Sequence, residues 1–470
     1  MVTTAKKLRL KPFLSPRLCR ACGRCIAACP THCIELGDRL DPLSGLMPVV
    51  VHEDLCNGCG LCFDACPEPY GLMPRTSALE GIDPAADPFT VFEAHGEAAP
   101  APEPVPDRQV PLPALEPMIL EGTHASAIGA LLAGCRYFFG YPITPSTEGA
   151  ELMARVLPRL QGVFLQAMSE VATVNMMYGC GGAGRRCMTF TSSPGFSLML
   201  EGISYMIGAE VPGVFVNVMR GGPGLGNIGP EQADLKLACR GLGHGNTHAV
   251  VFAPANPQEM LDLTMEAFDI AFRYRNPVVL VADGYLGQVT GRVTLPDHLV
   301  QPGMPAWAVF GDRAHRHNLI CSTLLDVADL EAHNQHLNAK YARMTEAEQR
   351  AEAFLCDDAE WLIVACNTPA RMARGAVHAL RAAGHRVGLY RPITLWPFPI
   401  RMLQPLLARA RGLLMVEAGP GQLEDEARLA LSRAGVSAPP IHAVRHHGGV
   451  LPQQQEIVDR CLEIVEGPRA

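Results

Sequence analysis

The sequence predicts an α/β protein: a small cysteine-rich module followed by doubly wound, largely parallel domains. Three observations carry this expectation. Nine of the seventeen cysteines fall within the first 66 residues. From residue 119 onward, short β-branched runs alternate with amphipathic stretches of helical length, the pattern of a parallel sheet covered on both faces. Between these regions lies AHGEAAPAPEPVPDRQVPLPALEP at 94–117, where the density of proline blocks regular structure.

A chain of 470 residues is long enough for several domains, each with its own core. The net charge of −8 and the lack of a long basic stripe argue against a general nucleic-acid binder. The N-terminal MVTTAKKLRLKPFLSPRL is basic without an apolar core, so no signal peptide is expected. No apolar run approaches the ~18 residues of a membrane span. The expectation is a cytoplasmic protein, where thiols stay reduced and cysteines serve as ligands or packing groups rather than disulfides.

Residues 10–75 form the first predicted domain. CRACGRCIAACP at 19–30 and CNGCGLCFDACP at 56–67 both read C-x2-C-x2-C-x3-C-P. This is the run of two-cluster ferredoxins, in which each fourth cysteine ligates the other [4Fe–4S] cluster. The expected ligand sets are Cys19, Cys22, Cys25 and Cys66 for one cluster, and Cys56, Cys59, Cys62 and Cys29 for the second. Three thiolates on one tight turn grip one face of a cube, and the distant cysteine closes it. Zinc also uses C-x2-C pairs, but it does not account for two runs of four ending in proline. Cys33 is surplus and reads as a small packed hydrophobe. The module resembles dicluster ferredoxins over its whole length, which implies a dicluster ferredoxin fold and one-electron transfer.

Residues 76–117 are expected to be a Pro/Ala-rich linker and 118–295 the next domain. Its alternation runs through HASAIGALLAGC, YFFG, EGAELMARVLPRL, GVFLQA, SEVATVNMMYG, CMTFTSS, FSLMLEGISYMIGAE, GVFVNVM, EQADLKLACRG, AVVFAPAN, PQEMLDLTMEAFDIAFRY and PVVLVAD. Ligands in such sheets bind beyond the carboxyl ends of strands. FGYPITPSTEG at 139–149 stands at such an end, stiffened by its prolines and rich in hydroxyls. GCGGAG at 179–184 matches the dinucleotide fingerprint in the wrong context, after a helix and before a strand. GLGNIG at 224–229 has the right context but lacks the acidic residue after the next strand. Both read as close-approach loops, with Arg220 placed just before the second to meet an anion.

GYPITPSTE, SEVATVNMMYGCGGAGRRCMTFTSSPGFSLMLEGISY and VNVMRGGPGLGNIGPEQADL together resemble the α subunit of 2-oxoacid:ferredoxin oxidoreductases. The resemblance runs with gaps from about 118 to 465. It implies a pyrimidine-binding thiamine-enzyme domain and the oxidative decarboxylation of a 2-oxoacid, with CoA as co-substrate, to acyl-CoA and CO2. Electrons would pass through the [4Fe–4S] clusters to ferredoxin. By resemblance, Glu170 is the carboxylate that engages the thiamine diphosphate pyrimidine. Its plain alternative is a first-turn helix acid after Ser169. Thr144 and Arg220 are similar to the family's residues for the substrate carboxylate, which suits a bidentate guanidinium. The segment around Arg220 is similar to both branched-chain and 2-oxoglutarate members.

The Mg²⁺-diphosphate motif of thiamine enzymes, G-D-G followed by Asn, is missing. ADG at 282–284 has no suitable Asn, and GDR at 311–313, with Asn338 beyond it, lacks the last glycine. Thiamine diphosphate and Mg²⁺ are therefore expected to be shared with, or held by, a β subunit, with a γ subunit and ferredoxin as further partners. Residues 296–357 read as a connecting helical arm, and 358–465 resemble a transketolase C-terminal-like domain, above all in YRPITLWPFP. His446–His447 reads as solvent-facing, and Cys135, Cys180, Cys187 and Cys239 as packed. Two rival readings remain: an electron-transfer protein whose α/β body is only a docking scaffold, and a non-oxidative thiamine enzyme.

Overall fold

The structure is a computed structural model that describes residues 10–41, 46–68, 71–75, 104–309, 318 and 320–466. Residues 10–75 fall in one compact unit; 104–309 and 332–466 fall in a second.

The smaller unit runs β1 (Pro12–Leu14), α1 (Arg24–Ala28), β2 (Ile34–Leu36), β3 (Val49–Val51), α2 (Leu61–Ala65) and β4 (Leu72–Pro74). β1 pairs antiparallel with β4, and β2 with β3. The two cysteine runs thus occupy equivalent halves. Gly23 and Gly60 hold matching left-handed positions at the start of α1 and α2, and Ala21 matches Gly58 one turn earlier. Those positive φ angles wind each C-x2-C-x2-C run into a tight turn. Its small core is made largely of cysteines, with Cys25, Cys29, Cys33 and Cys62 packed on Ile34, Val49 and Leu72.

The larger unit begins with β5 (Arg108–Pro111), β6 (Met118–Glu121) and α3 (Gly122–Leu132), then β7 (Tyr137–Gly140), α4 (Thr147–Val156), β8 (Val163–Gln166) and α5 (Glu170–Gly182). It continues through β9 (Cys187–Thr191), α6 (Ser193–Gly208), β10 (Gly213–Met219), α7 (Leu235–Arg240), β11 (Val250–Phe252), α8 (Pro257–Tyr274) and β12 (Pro277–Asp283). The short α9 (Gly284–Gln288), β13 (Thr290–Val293) and β14 (His298–Gln301) follow. Every residue of β9, β10 and β12 is buried, as the central strands of a sheet covered on both faces must be. Helix starts follow their sequence signals: the Ser169, Asn256 and Asp283 side chains each accept from a backbone N–H in the first turn.

The C-terminal part contains α10 (Val327–Ala347), β15 (Ala351–Phe354), β16 (Trp361–Val364), α11 (Asn367–Ala382), β17 (Val387–Pro392) and β18 (Thr394–Trp396). It ends with α12 (Ile400–Leu407), β19 (Gly412–Glu417), α13 (Gln422–Arg433), β20 (Ile441–Arg445) and α14 (Gln454–Glu466). The first sheet has seven strands in the order β18-β11-β12-β10-β9-β7-β8. All neighbours are parallel except β18 against β11. The second has five, β15-β17-β16-β19-β20, with β15 antiparallel.

Three expectations need correction. The segment 76–117 is not linker throughout: Arg108–Pro111 pairs antiparallel with His298–Gln301, while 76–103 lies outside the described residues. The pairing is anchored by buried Arg186, which donates to Asp107 at 2.6 Å and to the Ala133 carbonyl at 2.8 Å, contacts that proline content does not disclose. Likewise 296–357 is not all helix, because β14 and β15 lie within it. Finally, YRPITLWPFP divides between two sheets: β17 belongs to the second and β18 crosses to the first.

Candidate active site

Four loops leave the carboxyl edge of the seven-stranded sheet close together. β7 and β8 end side by side, with Gly140 opposite Gln166 and the Ala167 N–H bonded to the Gly140 carbonyl at 2.8 Å. The FGYPITP loop and the AMSE turn therefore emerge next to one another. β9 runs out at Thr191 into α6, and β10 at Met219 into Arg220. The topology thus gathers Thr144, Glu170 and Arg220 on one edge.

Glu170 opens α5 directly after its cap, Ser169. A first-turn acid serving only the helix dipole stays in solvent, but Glu170 is 5% exposed. Among the described residues none donates a hydrogen bond to its carboxylate. Its room comes from Gly195, in the first turn of α6: a Cβ there would lie 2.5 Å from Glu170 Oε1 and 2.4 Å from Thr191 Oγ1. A buried, donorless carboxylate whose room depends on a glycine fits a ligand carrying an N–H. The pyrimidine of thiamine diphosphate meets that requirement.

Arg220 is 7% exposed. Its Nη1 donates to the Thr144 carbonyl at 2.9 Å and its Nη2 to the Leu225 carbonyl at 3.2 Å, while the buried Nε has no partner. Neutral carbonyls orient the guanidinium without neutralising it, which leaves its charge for an anion. The Thr144 side chain is exposed on the loop. The sequence reading missed what sets the Arg220 backbone. The Ser193 hydroxyl accepts the Arg220 N–H at 3.1 Å and donates to Asp234 Oδ2 at 2.5 Å; Asn217 donates to the same oxygen at 2.9 Å. Burial raises the Asp234 carboxyl, and the bonds from Ser193 and Asn217 act against that. The hydroxyl-rich TSSPG at a strand end was the available signal. Of the two Gly-rich stretches read as close-approach loops, only the second is a loop: residues 179–182 form the last turn of α5, where a Cβ at Gly181 would meet the Pro212 carbonyl at 2.3 Å, while in the second a Cβ at Gly226 would meet the Gly221 carbonyl at 1.7 Å.

Asp283, the acid of ADG, is fully buried and saturated. It accepts from Leu286 N–H at 3.0 Å, Thr368 N–H at 2.9 Å and Thr368 Oγ1 at 2.8 Å. Burial raises its carboxyl, with those donors acting the other way. It caps α9 and ties the two sheets together, a role that leaves no lone pairs directed at a metal. GDR at 311–313 lies outside the described residues, and Asn338 accepts from Asn246 at 2.8 Å. His446 is held by the Glu456 carboxylate at 2.8 Å. Cys135, Cys187 and Cys239 are buried and Cys180 half-buried; burial pushes the Cys135 thiol up to about 12.

In the smaller unit, two cavities divide the eight motif cysteines. One is lined by Cys19, Cys22, Cys25 and Cys66, and the other by Cys29, Cys56, Cys59 and Cys62. Backbone N–H groups point at the thiols: Val49 to Cys19, Cys33 to Cys29 and Gly58 to Cys56, each at 3.4 Å. Four thiols lining a cavity, with amides turned toward sulfur, fit a cube-shaped cluster. Cys33 lines the second cavity with its Sγ 3.3 Å from that of Cys29, so it is packed, as expected, but against a ligand position.

Comparison with known proteins gives the family. Residues 128–352 match the family described as pyruvate flavodoxin/ferredoxin oxidoreductase, thiamine diP-binding; 359–457 match pyruvate:ferredoxin oxidoreductase core domain II; 18–69 match the 4Fe-4S dicluster domain. The ketoisovalerate oxidoreductase subunit VorB of Methanothermobacter thermautotrophicus is 45% identical over 347 residues, 74% of this chain and 97% of that protein. The 2-oxoglutarate synthase subunit KorA of the same organism is 34% identical over 377 residues, covering 74% and 99%. A solved structure of 2-oxoglutarate:ferredoxin oxidoreductase from Magnetococcus marinus, with 2-oxoglutarate, coenzyme A and succinyl-CoA bound, superposes with a TM-score of 0.67 at 27% identity. That superposition covers 74% of this chain and 65% of the other. No helix among the described residues is long and apolar enough to cross a membrane. The chain belongs to the 2-oxoacid:ferredoxin oxidoreductase family, as a subunit that joins a 4Fe–4S dicluster domain to the thiamine diphosphate-binding core.

Proposed function

We propose that this chain is the α subunit of a CoA-acylating enzyme whose substrate is a branched-chain 2-oxoacid. The observation that carries the reading is the pairing, on one sheet edge, of a donorless buried Glu170 with an un-neutralised Arg220. Glu170 holds the pyrimidine by accepting its N–H. Arg220 holds the substrate carboxylate until it departs as CO2, with the Thr144 hydroxyl beside it. Thiamine diphosphate, when bound, supplies the carbon that adds to the 2-oxo group and the sink for the electrons released on decarboxylation. Two electrons leave per turnover and a [4Fe–4S] cluster takes one at a time, which suits two clusters ligated by Cys19, Cys22, Cys25 and Cys66, and by Cys56, Cys59, Cys62 and Cys29.

The loops at this edge support the choice of substrate class. YPITPST, AMSE, RGGPGLGNIGPE and GYLGQ contain no cation besides Arg220. The loop that carries it presents Leu225 and Ile228, 79% and 61% exposed. An apolar side chain suits such a surface, whereas a distal carboxylate finds no cation on these loops. The higher identity to a ketoisovalerate than to a 2-oxoglutarate subunit supports the same choice. With Met168 92% exposed and Tyr141 and Tyr285 also exposed, the edge is an apolar rim around two buried charges, the character of a surface that another subunit covers. We assign that cover to a β subunit bringing the Mg²⁺-diphosphate motif, which Asp283 does not supply, with a γ subunit completing the assembly and ferredoxin as acceptor.

The test is an anaerobic assay of the natively purified complex with CoA, following dye reduction with 2-oxoisovalerate, 2-oxoglutarate, pyruvate and an aryl 2-oxoacid. The highest kcat/KM is expected with 2-oxoisovalerate. Preference for 2-oxoglutarate would place a distal cation on the partner and overturn the substrate assignment. Full activity of Glu170→Gln would return the α/β body to a docking scaffold.

A further inference from the structure

The Gly-rich loop that follows Arg220 is held shut from outside its own domain. Within the loop, Gly221 N–H bonds to the Gly229 carbonyl at 3.0 Å, Asn227 N–H to the Gly221 carbonyl at 3.0 Å, and Gly229 N–H to Asn227 Oδ1 at 2.8 Å. The remaining ties run to Glu231 and, directly or through it, to the turn after β20. Glu231 Oε2 accepts from Gly222 N–H at 3.3 Å and from Gly448 N–H at 3.0 Å, and Asn227 Nδ2 donates to the Gly448 carbonyl at 2.9 Å. The two backbones nearly touch, since a Cβ at Gly229 would lie 2.8 Å from Gly449 Cα. Glu231 is 5% exposed and forms no ion pair among the described residues.

We propose that Glu231 is a positioning residue for the 2-oxoacid: it clamps the 221–229 loop to the Gly448–Gly449 turn and so fixes where Arg220 presents its charge. The link is direct, because the Leu225 carbonyl that orients Arg220 Nη2 sits on the clamped loop. A loop with this many glycines has no side-chain packing of its own to hold that carbonyl still, so its geometry is borrowed from the C-terminal domain. This gives a use to the HHGG stretch that its histidines do not. The backbone of Gly448 and Gly449 is the working part, and both hold positive φ, 66° and 94°, which favours glycine there. The inference rests on the reading of Arg220 as the substrate-carboxylate group.

The experiment compares Glu231→Ala, Glu231→Gln, Asn227→Ala and Arg220→Ala in the assembled complex, by steady-state kinetics and by hydrogen exchange of peptides covering 221–229. Glu231→Ala is expected to raise KM for the 2-oxoacid about tenfold, with kcat changed less than about twofold, KM for CoA unchanged and faster exchange in the loop. Glu231→Gln keeps an oxygen that accepts both N–H groups and should restore most of the KM and the protection; Asn227→Ala should fall between. If Glu231→Ala loosens the loop without raising KM, or raises KM for CoA equally, the positioning role is wrong while the reading of Arg220 stands. If Arg220→Ala itself leaves KM for the 2-oxoacid unchanged, the reading of the site fails first and the inference falls with it.

Discussion

Glu170 and Asp283 differ in one respect, the hydrogen-bond donors that the fold gives them. Both are acids at the carboxyl edge of the same sheet, both begin a helix, and both are buried. Asp283 is met by three donors, two of them from Thr368 across the boundary between the two α/β domains. Glu170 is met by none among the described residues. A carboxylate on a residue only 5% exposed that receives no donor from its own chain is left to take one from a ligand. Burial alone would rank the two together; the inventory of donors divides them.

The contrast breaks most readily at Glu170. Glu170→Gln should reduce turnover of the assembled complex by about 10²–10⁴-fold while the thermal midpoint stays the same or rises, because no intramolecular bond is lost. A fall in stability matching the fall in activity would make Glu170 architectural after all. Asp283→Asn should do the reverse. An amide turned toward the Thr368 donors loses acceptors it needs, costing about 2–3 kcal/mol, read as a drop of about 5 °C in the melting midpoint. Its kcat per folded molecule should be kept, and a selective loss of kcat would give Asp283 a catalytic part. Gly195→Ala sharpens the first case, since alanine favours helix yet places a methyl against Glu170 Oε1 and Thr191 Oγ1. About tenfold lower activity, with cluster content unchanged by iron assay, is the expected result.

A third acid at a helix start extends the comparison to pH. Glu417 accepts from Leu423 N–H at 2.8 Å and Glu424 N–H at 3.1 Å at the start of α13. Burial nonetheless raises its carboxyl to about 7 from 4.5, the two N–H groups and Arg445 offsetting only part. The folded chain then keeps a proton up to about pH 7 that the unfolded chain gives up near 4.5, so raising the pH through that window favours unfolding. Stability should fall by about 1 kcal/mol between pH 6 and 8, and Glu417→Gln should flatten that slope in melting curves. An unchanged slope in the variant would remove Glu417 as its source.

The sequence disclosed features whose causes are local and concealed those that depend on distant partners. The dicluster module was legible because three cysteines of each run lie within seven residues, Cys19–Cys25 and Cys56–Cys62, on one turn. The βα alternation was legible because buried parallel strands such as GVFVNVM and PVVLVAD are apolar on both faces. The first-turn position of Glu170 was visible, but its burial was not: that depends on Gly195, and no pattern links the two. Ser193 and Asp234 stand 41 residues apart and meet only when β9 and β10 are neighbours. The strand at 108–111 was hidden because its partner lies at 298–301, and proline density outweighed the alternation of RQVP.

β18 has a consequence for how this chain can be taken apart. It follows β17 after a single residue, yet pairs with β11 in the other sheet, where Ala253 N–H also bonds to the Ile393 carbonyl at 2.8 Å. Nearby, Gln232 exchanges backbone and side-chain bonds with Ala418, and buried Asn367 reaches the Pro254 and Val281 carbonyls. A truncation at the seam between the two matched families, near residue 355, would strip the β11 edge and leave unpaired amides facing solvent, a template for aggregation. The two α/β domains are interleaved, and fragments that respect their borders in the sequence would cut through a single cooperative body.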